Sequence, residues 1–196
     1  MAEISNNDGL FNKKMGVNFG GTDEWYTPEE AITPLLQYIK PDSRILCPFD
    51  TAESNYVKVF GKDHEVIHSH IFEGTDFFTL DKPDVDYIIS NPPYSKRTEV
   101  LRRLYDWDIP FAMMFNCNGI FDSKLRCNFA KNKGAELLFL YPRVAYIDTE
   151  GARSAPPYMS CYWCYKILPE RLMFASIVED NQLDMFDMIG GLYEDC

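Results

Sequence analysis

The stretch Val85-Asp86-Tyr87-Ile88-Ile89-Ser90-Asn91-Pro92-Pro93-Tyr94-Ser95 decides how this chain is read. Residues 85–89 have the β-branched and aromatic side chains of a buried strand, and the strand runs directly into an Asn, two prolines and an aromatic ring. Two consecutive prolines lack an N–H and hold φ near −65°, so the backbone leaves any sheet ladder there with its carbonyls pointing outward. Those acceptors need a donor from elsewhere.

Outward from this turn, short apolar runs alternate with helical patterns. Strands are expected at residues 44–47, 65–68, 85–89, 111–115 and 136–141, and helices at 54–60, 96–105 and 123–131. Thr27-Pro28-Glu29-Glu30 reads as a capping box with proline at the first helical position, opening a helix to about residue 39 that Pro34 should kink or break. Such alternation is the signature of an α/β fold, a largely parallel sheet covered on both faces with right-handed crossovers. Residues 144–147 and 158–168 look extended without an intervening helix, which predicts antiparallel strands at one edge.

Composition bounds the possibilities. The 196 residues, 46% hydrophobic and 15% aromatic, suit a single globular domain with a substantial core. That domain is expected over residues 22–170, between a polar N-terminal arm at 1–21 and an acidic C-terminal segment at 171–196. No apolar run approaches the roughly 18 residues of a membrane span, and the first residues have no apolar signal core, so a soluble, cytoplasmic chain is expected. Six scattered cysteines suit a reducing compartment. Cys161 and Cys164 form a lone C-x-x-C on a strand-like segment, where a separation of three puts the sulfurs on opposite faces, and no metal site is expected. His68 and His70 lack a third ligand nearby and read as polar strand-end residues. A net charge of −11 opposes nucleic-acid binding in its simplest form. Six of the acids, however, lie after residue 178 with no Lys or Arg among them, in a segment suited to solvent, a second copy of the chain or a protein partner.

Ligands of doubly wound sheets sit beyond the carboxyl ends of the strands, where both Pro48-Phe49-Asp50 and Asn91-Pro92-Pro93-Tyr94 fall. An exocyclic amine on a planar base has two hydrogens, and methylating it requires acceptors that hold those hydrogens while drawing the lone pair out of conjugation. The Asn91 side-chain oxygen and the Pro92 carbonyl supply such a pair, Pro93 fixes the turn, and Tyr94 offers a ring for stacking.

In these residues the sequence resembles the N6-adenine DNA methyltransferases, above all their short phage-borne forms. The likeness rests on Asp23-Glu24-Trp25-Tyr26-Thr27-Pro28, Asn91-Pro92-Pro93-Tyr94-Ser95, Tyr141-Pro142-Arg143-Val144 and Ala155-Pro156-Pro157. It implies a Rossmann-like methyltransferase fold, S-adenosylmethionine as methyl donor, and as substrate a DNA adenine flipped from its duplex or held in a single strand. Trp25, Thr27 and Pro28 would lie near the methionine end of the donor, Pro48, Phe49 and Asp50 would form the loop beneath it, and Asp76 and Phe77 would hold its adenine. Lys96, Arg97, Arg102 and Arg103, with Lys124, Arg126, Lys131 and Lys133 further on, form a basic cluster that reads by default as a solvated helix face and alternatively as a phosphate-contacting patch.

Two departures support a rival of another class, a catalytically inactive relative that binds a protein partner, such as a phage-encoded inhibitor of a host defence system. Residues 46–56 contain no glycine, although the usual loop under the donor is glycine-rich. His68-Ser69-His70 stands where an acid normally meets the ribose hydroxyls, leaving Glu73 as the substitute. The same amine-holding turn would also serve a glutamine or an RNA adenine.

Overall fold

Strands β1 (Arg44–Cys47), β3 (Tyr87–Ser90), β4 (Phe111–Asn116) and β8 (Ser160–Tyr165) are buried at almost every position, as apolar runs covered on both faces must be. The structure, a computed structural model, describes residues 26–148 and 150–178. Trp25, the arm at 1–21 and the chain from residue 179 onward lie outside the described residues.

With β2 (Glu65–His68), β5 (Glu136–Tyr141) and β9 (Leu172–Ser176), these strands form a seven-stranded sheet in the order β2-β1-β3-β4-β8-β5-β9. Every neighbouring pair is parallel except those that β8 makes with β4 and β5. Side chains alternate between two cores. On one face Ile45, Ile89, Met114, Tyr162 and Cys164 pack with α1 (Glu29–Ile32) and α2 (Asn55–Phe60) through Ile32, Tyr56 and Phe60. On the other, Ile88, Phe111, Phe115, Cys161 and Trp163 pack with α3 (Arg97–Trp107) through Val100, Leu101, Leu104 and Trp107. The C-x-x-C thus divides between the two faces, as its spacing requires. This is a Rossmann-like, doubly wound sheet.

Several elements differ from expectation in instructive ways. The helix after Pro28 lasts one turn and becomes a 3₁₀ stretch at Thr33–Tyr38, because Pro34 removes an N–H. Its N-cap is Pro28 with no side-chain cap bond, so Thr27 does not close a capping box and its hydroxyl is used elsewhere. Helix α4 (Lys124–Phe129) continues as a π turn over Ala130–Gly134. Antiparallel strands are present, but β8 lies inside the sheet rather than at its edge, where Tyr162 and Trp163 each fill one core. Strands β6 (Tyr146–Ile147) and β7 (Arg153–Ser154) form a separate two-stranded sheet. Strand β9 was not expected. It pairs with β5, so the folded unit extends past residue 170 to at least Ser176; Met173 and Ala175 face the core while Leu172 and Phe174 are exposed. Among the described residues no helix is long and apolar enough to cross a membrane.

The turn between β8 and β9 is organised by one carboxylate. Lys166 adopts a left-handed φ of 57°, which lets the N–H groups of Lys166, Ile167 and Leu168 converge on Glu136 at 3.0, 3.0 and 2.7 Å. Glu136→Ala leaves these donors without their acceptor and is expected to lower unfolding free energy by about 2–3 kcal/mol in urea titration; an unchanged midpoint would contradict this account.

Candidate active site

Because β1 and β3 are parallel neighbours, the segments leaving them emerge side by side. Pro48-Phe49-Asp50 continues β1, and the Asp50 N–H donates to the Ser69 carbonyl at 3.1 Å, while the Ser69 N–H reaches Cys47 O at 3.1 Å. The exits of β1 and β2 are thereby joined. Asp50, 6% exposed, accepts a hydrogen bond from the Ser90 hydroxyl at the end of β3. Burial pushes its carboxyl from the ordinary 3.8 up to about 6, against the opposing effects of hydrogen bonds from Ser90 and Ser54 and of nearby His68.

The next residue is Asn91. Its Nδ2 donates to Thr27 Oγ1 at 3.2 Å, and the Thr27 carbonyl accepts from Asn55 Nδ2 at 2.8 Å. The Asn91 Oδ1 atom is buried and has no hydrogen-bond partner. Within the described residues no donor reaches the carbonyl of Pro92 either. Two adjacent oxygens are therefore left as acceptors at the end of β3.

Tyr94 opens a 3₁₀ turn, Tyr94–Lys96, that leads into α3. Its ring is half-buried rather than free, with its centroid 6.3 Å from that of Phe115. The hydroxyl meets the Tyr146 hydroxyl at 3.1 Å, and Tyr146 in turn contacts Ser160 Oγ at 2.8 Å and Met114 Sδ at 3.2 Å. Burial raises the pKa of both phenols, that of Tyr146 to about 12, so both are protonated at neutral pH.

Around this centre the other expected residues fall unevenly. Pro28 and Pro48 are buried, and Phe49 is half-buried with its ring 4.8 Å from that of Phe77. Asp76 accepts from the Phe78 N–H at 2.9 Å and caps the turn Phe77–Thr79. Phe77 is 2% exposed, enclosed by Phe49, Phe78 and Trp107, and so has no free face for a ligand's ring; its stacking role is corrected accordingly. Ile71 and Phe72, 63% and 74% exposed just beyond β2, are open apolar groups that the sequence reading missed. It also missed Ser90, Asn55 and Tyr146, whose roles depend on contacts between distant segments. Glu73 places Oε2 3.6 Å from His68 Nδ1. Among the described residues no group of three or more His, Cys, Asp or Glu side chains could hold a metal ion.

The basic cluster is partly internal. Arg97 ties the turn to the loop after β4, donating to Tyr94 O at 3.0 Å and Asn118 O at 3.1 Å. Arg126 holds Gly119 O and Ile120 O at 2.7 and 2.8 Å, and Arg103 donates to Leu80 O with its guanidinium over Trp107. Lys96, Arg102, Lys124, Lys131 and Lys133 stay exposed. A cavity of about 630 Å³, lined by Lys40, Asp42, Lys82, Asp84 and Asp108 among others, lies at the opposite, amino-terminal end of the parallel strands. The chemistry at the carboxyl ends, rather than cavity size, marks the candidate site.

No protein family and no curated protein sequence matches the chain. Solved structures do. A dimethyladenosine transferase from Plasmodium falciparum aligns with a TM-score of 0.50 at 13% identity, over 75% of this chain and 64% of that one. A protein described as a modification subunit of a type I restriction enzyme, from Vibrio vulnificus YJ016, aligns with a TM-score of 0.51 at 10% identity, over 94% of this chain and 55% of that one. The chain thus spans less than two thirds of either neighbour. At such identities the likeness is one of fold, and the fold is the Rossmann-like S-adenosylmethionine-dependent methyltransferase fold.

The raised pKa of Asp50 has a defined signature. A carboxyl that binds its proton more tightly when folded favours the folded state below pH 4, and that advantage is lost as pH rises through about 6. Relative to Asp50→Asn, the native chain should lose on the order of 3 kcal/mol between pH 4 and 7, with little further change above. Parallel denaturant titrations of the two chains test this, and a pH-independent difference would contradict it.

Proposed function

We propose that this chain transfers a methyl group from S-adenosylmethionine to the exocyclic N6 amine of adenine in DNA. The observation that carries the reading is the buried, unpartnered Asn91 Oδ1 and, in the next residue, the Pro92 carbonyl, to which no donor among the described residues is bonded. A buried acceptor without a donor costs about 1–3 kcal/mol, a penalty that a bound amine relieves by donating to it. An exocyclic amine has two hydrogens for the two oxygens. Held by both, the nitrogen lone pair turns out of the ring's conjugation, and the same oxygens stabilise the positive charge that develops on nitrogen during transfer.

S-adenosylmethionine, when bound, supplies a methyl group activated by its sulfonium. The residues at the β1 and β2 exits suit it in part. Pro48, Phe49 and Asp50 form the floor, Ile71 and Phe72 offer apolar surface for its adenine, and Asp76 has a half-exposed carboxylate for an amine. Pro28 and Trp25 are assigned there by the sequence likeness alone. Tyr94 presents a ring held by its hydroxyl, against which the target base would stack, either flipped from a duplex or taken from a single strand. Exposed Lys96 and Arg102 flank the turn for phosphate contact. The name of one structural neighbour, a dimethyladenosine transferase, agrees with adenine as the acceptor.

The glycine-free exit of β1 favours a second reading, in which the chain binds a protein partner through its acidic C-terminal segment and catalyses nothing. One experiment separates the two. Incubation with methyl-labelled S-adenosylmethionine and mixed DNA, RNA and protein acceptors should place label on DNA adenine, and calorimetry should detect binding of the donor. Asn91→Ala is expected to reduce transfer by about 100-fold or more while the melting temperature is retained. Label in no acceptor, or full activity in Asn91→Ala, would overturn the proposal.

A further inference from the structure

The residues that hold the Asn-Pro-Pro-Tyr turn come from two segments far apart in sequence that are themselves paired. Tyr26 and Ile147 exchange both backbone hydrogen bonds, Tyr26 N to Ile147 O at 2.8 Å and Ile147 N to Tyr26 O at 3.0 Å, as an isolated antiparallel bridge. In that register Thr27 stands opposite Tyr146. Directly opposed residues of an antiparallel pair project to the same side, and those flanking a hydrogen-bonded pair are the closer kind. The Thr27 hydroxyl takes the Asn91 amide hydrogen at 3.2 Å, and the Tyr146 hydroxyl meets that of Tyr94 at 3.1 Å. One bridge therefore brings two hydroxyls to the two ends of the turn.

We propose that Thr27 and Tyr146 form a clamp, set by the Tyr26–Ile147 register, that positions Asn91 and Tyr94 for the substrate base. Neither is a catalytic residue; both are positioning residues. The two ends of an Asn amide are nearly equal in shape and opposite in hydrogen bonding. By accepting from Nδ2, Thr27 fixes that end and leaves Oδ1 as the unpartnered acceptor. A flipped amide would meet a substrate amine with another donor. Both clamp residues are themselves held. Thr27 is 5% exposed with its carbonyl bonded to Asn55, and Tyr146 is 3% exposed with its hydroxyl against Ser160 and Met114. Family likeness puts Thr27 beside the methyl donor, whereas its hydroxyl here is engaged with Asn91. The catalytic consequence rests on the adenine-methylation reading; the amide orientation does not.

Two readouts test the clamp separately from that reading. In ¹⁵N-labelled protein the Asn91 side-chain NH₂ signals, identified by their loss in Asn91→Asp, should be protected from solvent exchange. Thr27→Val keeps the side-chain shape but has no acceptor, so it should abolish that protection, and Thr27→Ser should retain it. In methyl-transfer assays Thr27→Val should lower kcat by about tenfold to a hundredfold, with the calorimetric Kd for S-adenosylmethionine within about twofold of the native value. Tyr146→Phe should leave the Asn91 signals unchanged and reduce the quenching of a 2-aminopurine placed at the target position. Unchanged Asn91 protection in Thr27→Val would overturn the clamp. So would a loss of donor affinity at constant kcat, which would make Thr27 a direct ligand. Should the native chain methylate nothing, the function proposed above falls, while the exchange measurement still decides the amide orientation.

Discussion

Everything at the candidate site depends on a carboxylate buried where two parallel strands end. Asp50 leaves β1 and Ser90 closes β3, and the bond between them fixes the two exits relative to each other. Because the next residue after Ser90 is Asn91, any shift in this bond passes directly to the acceptor pair. A buried acid is an expensive tie, as its raised pKa records, yet it is directional, which an apolar contact would not be. The serines at 54, 69 and 90 surround it on three segments. Small side chains let those segments approach, so the exit of β1 reaches close packing without the glycines customary in such loops.

The central strands were legible because they are buried on both faces and announce themselves as continuous apolar runs. Residues 44–47, 65–68 and 136–141 were read residue for residue, and the turn after β3 was placed by its prolines. Order across the sheet was less accessible. Nothing local in Ser160–Tyr165 distinguishes an interior antiparallel strand from an edge one, and β9 alternates too weakly, between Met173 or Ala175 inside and Leu172 or Phe174 outside, to stand out near an acidic segment. At the site, Asn91 and Pro92 were found through chemistry and motif. Thr27 was misread as a cap because a Thr-Pro-Glu-Glu run satisfies the local rule; its hydroxyl answers instead to a residue 64 positions away. Phe77 was read as a stacking ring because spacing cannot reveal that Trp107 and Phe49 enclose it.

The basic residues carry a similar lesson about charge. Read as a string, the arginines from 97 to 126 suggest a phosphate-binding surface, but guanidinium groups also serve as multidentate donors to stray carbonyls. Arg97 and Arg126 do this for the loop after β4, so the same loop that borders Tyr94 is stiffened by cations that look free in the sequence. What remains for solvent is largely lysine. The net charge of −11 thus coexists with exposed Lys96, Arg102, Lys124, Lys131 and Lys133.

The interior position of β8 also governs when this molecule can be completed during its own synthesis. Strands β4 and β5 are adjacent in sequence but never neighbours, since β8, made later, separates them. As the polypeptide emerges, the growing sheet therefore waits with an open edge until residue 165 is available, a long-range closure that raises contact order and slows folding. Ser160 arrives with that strand and is among the groups that anchor Tyr146. The part of the molecule that would meet a base is thus among the last to acquire its final geometry.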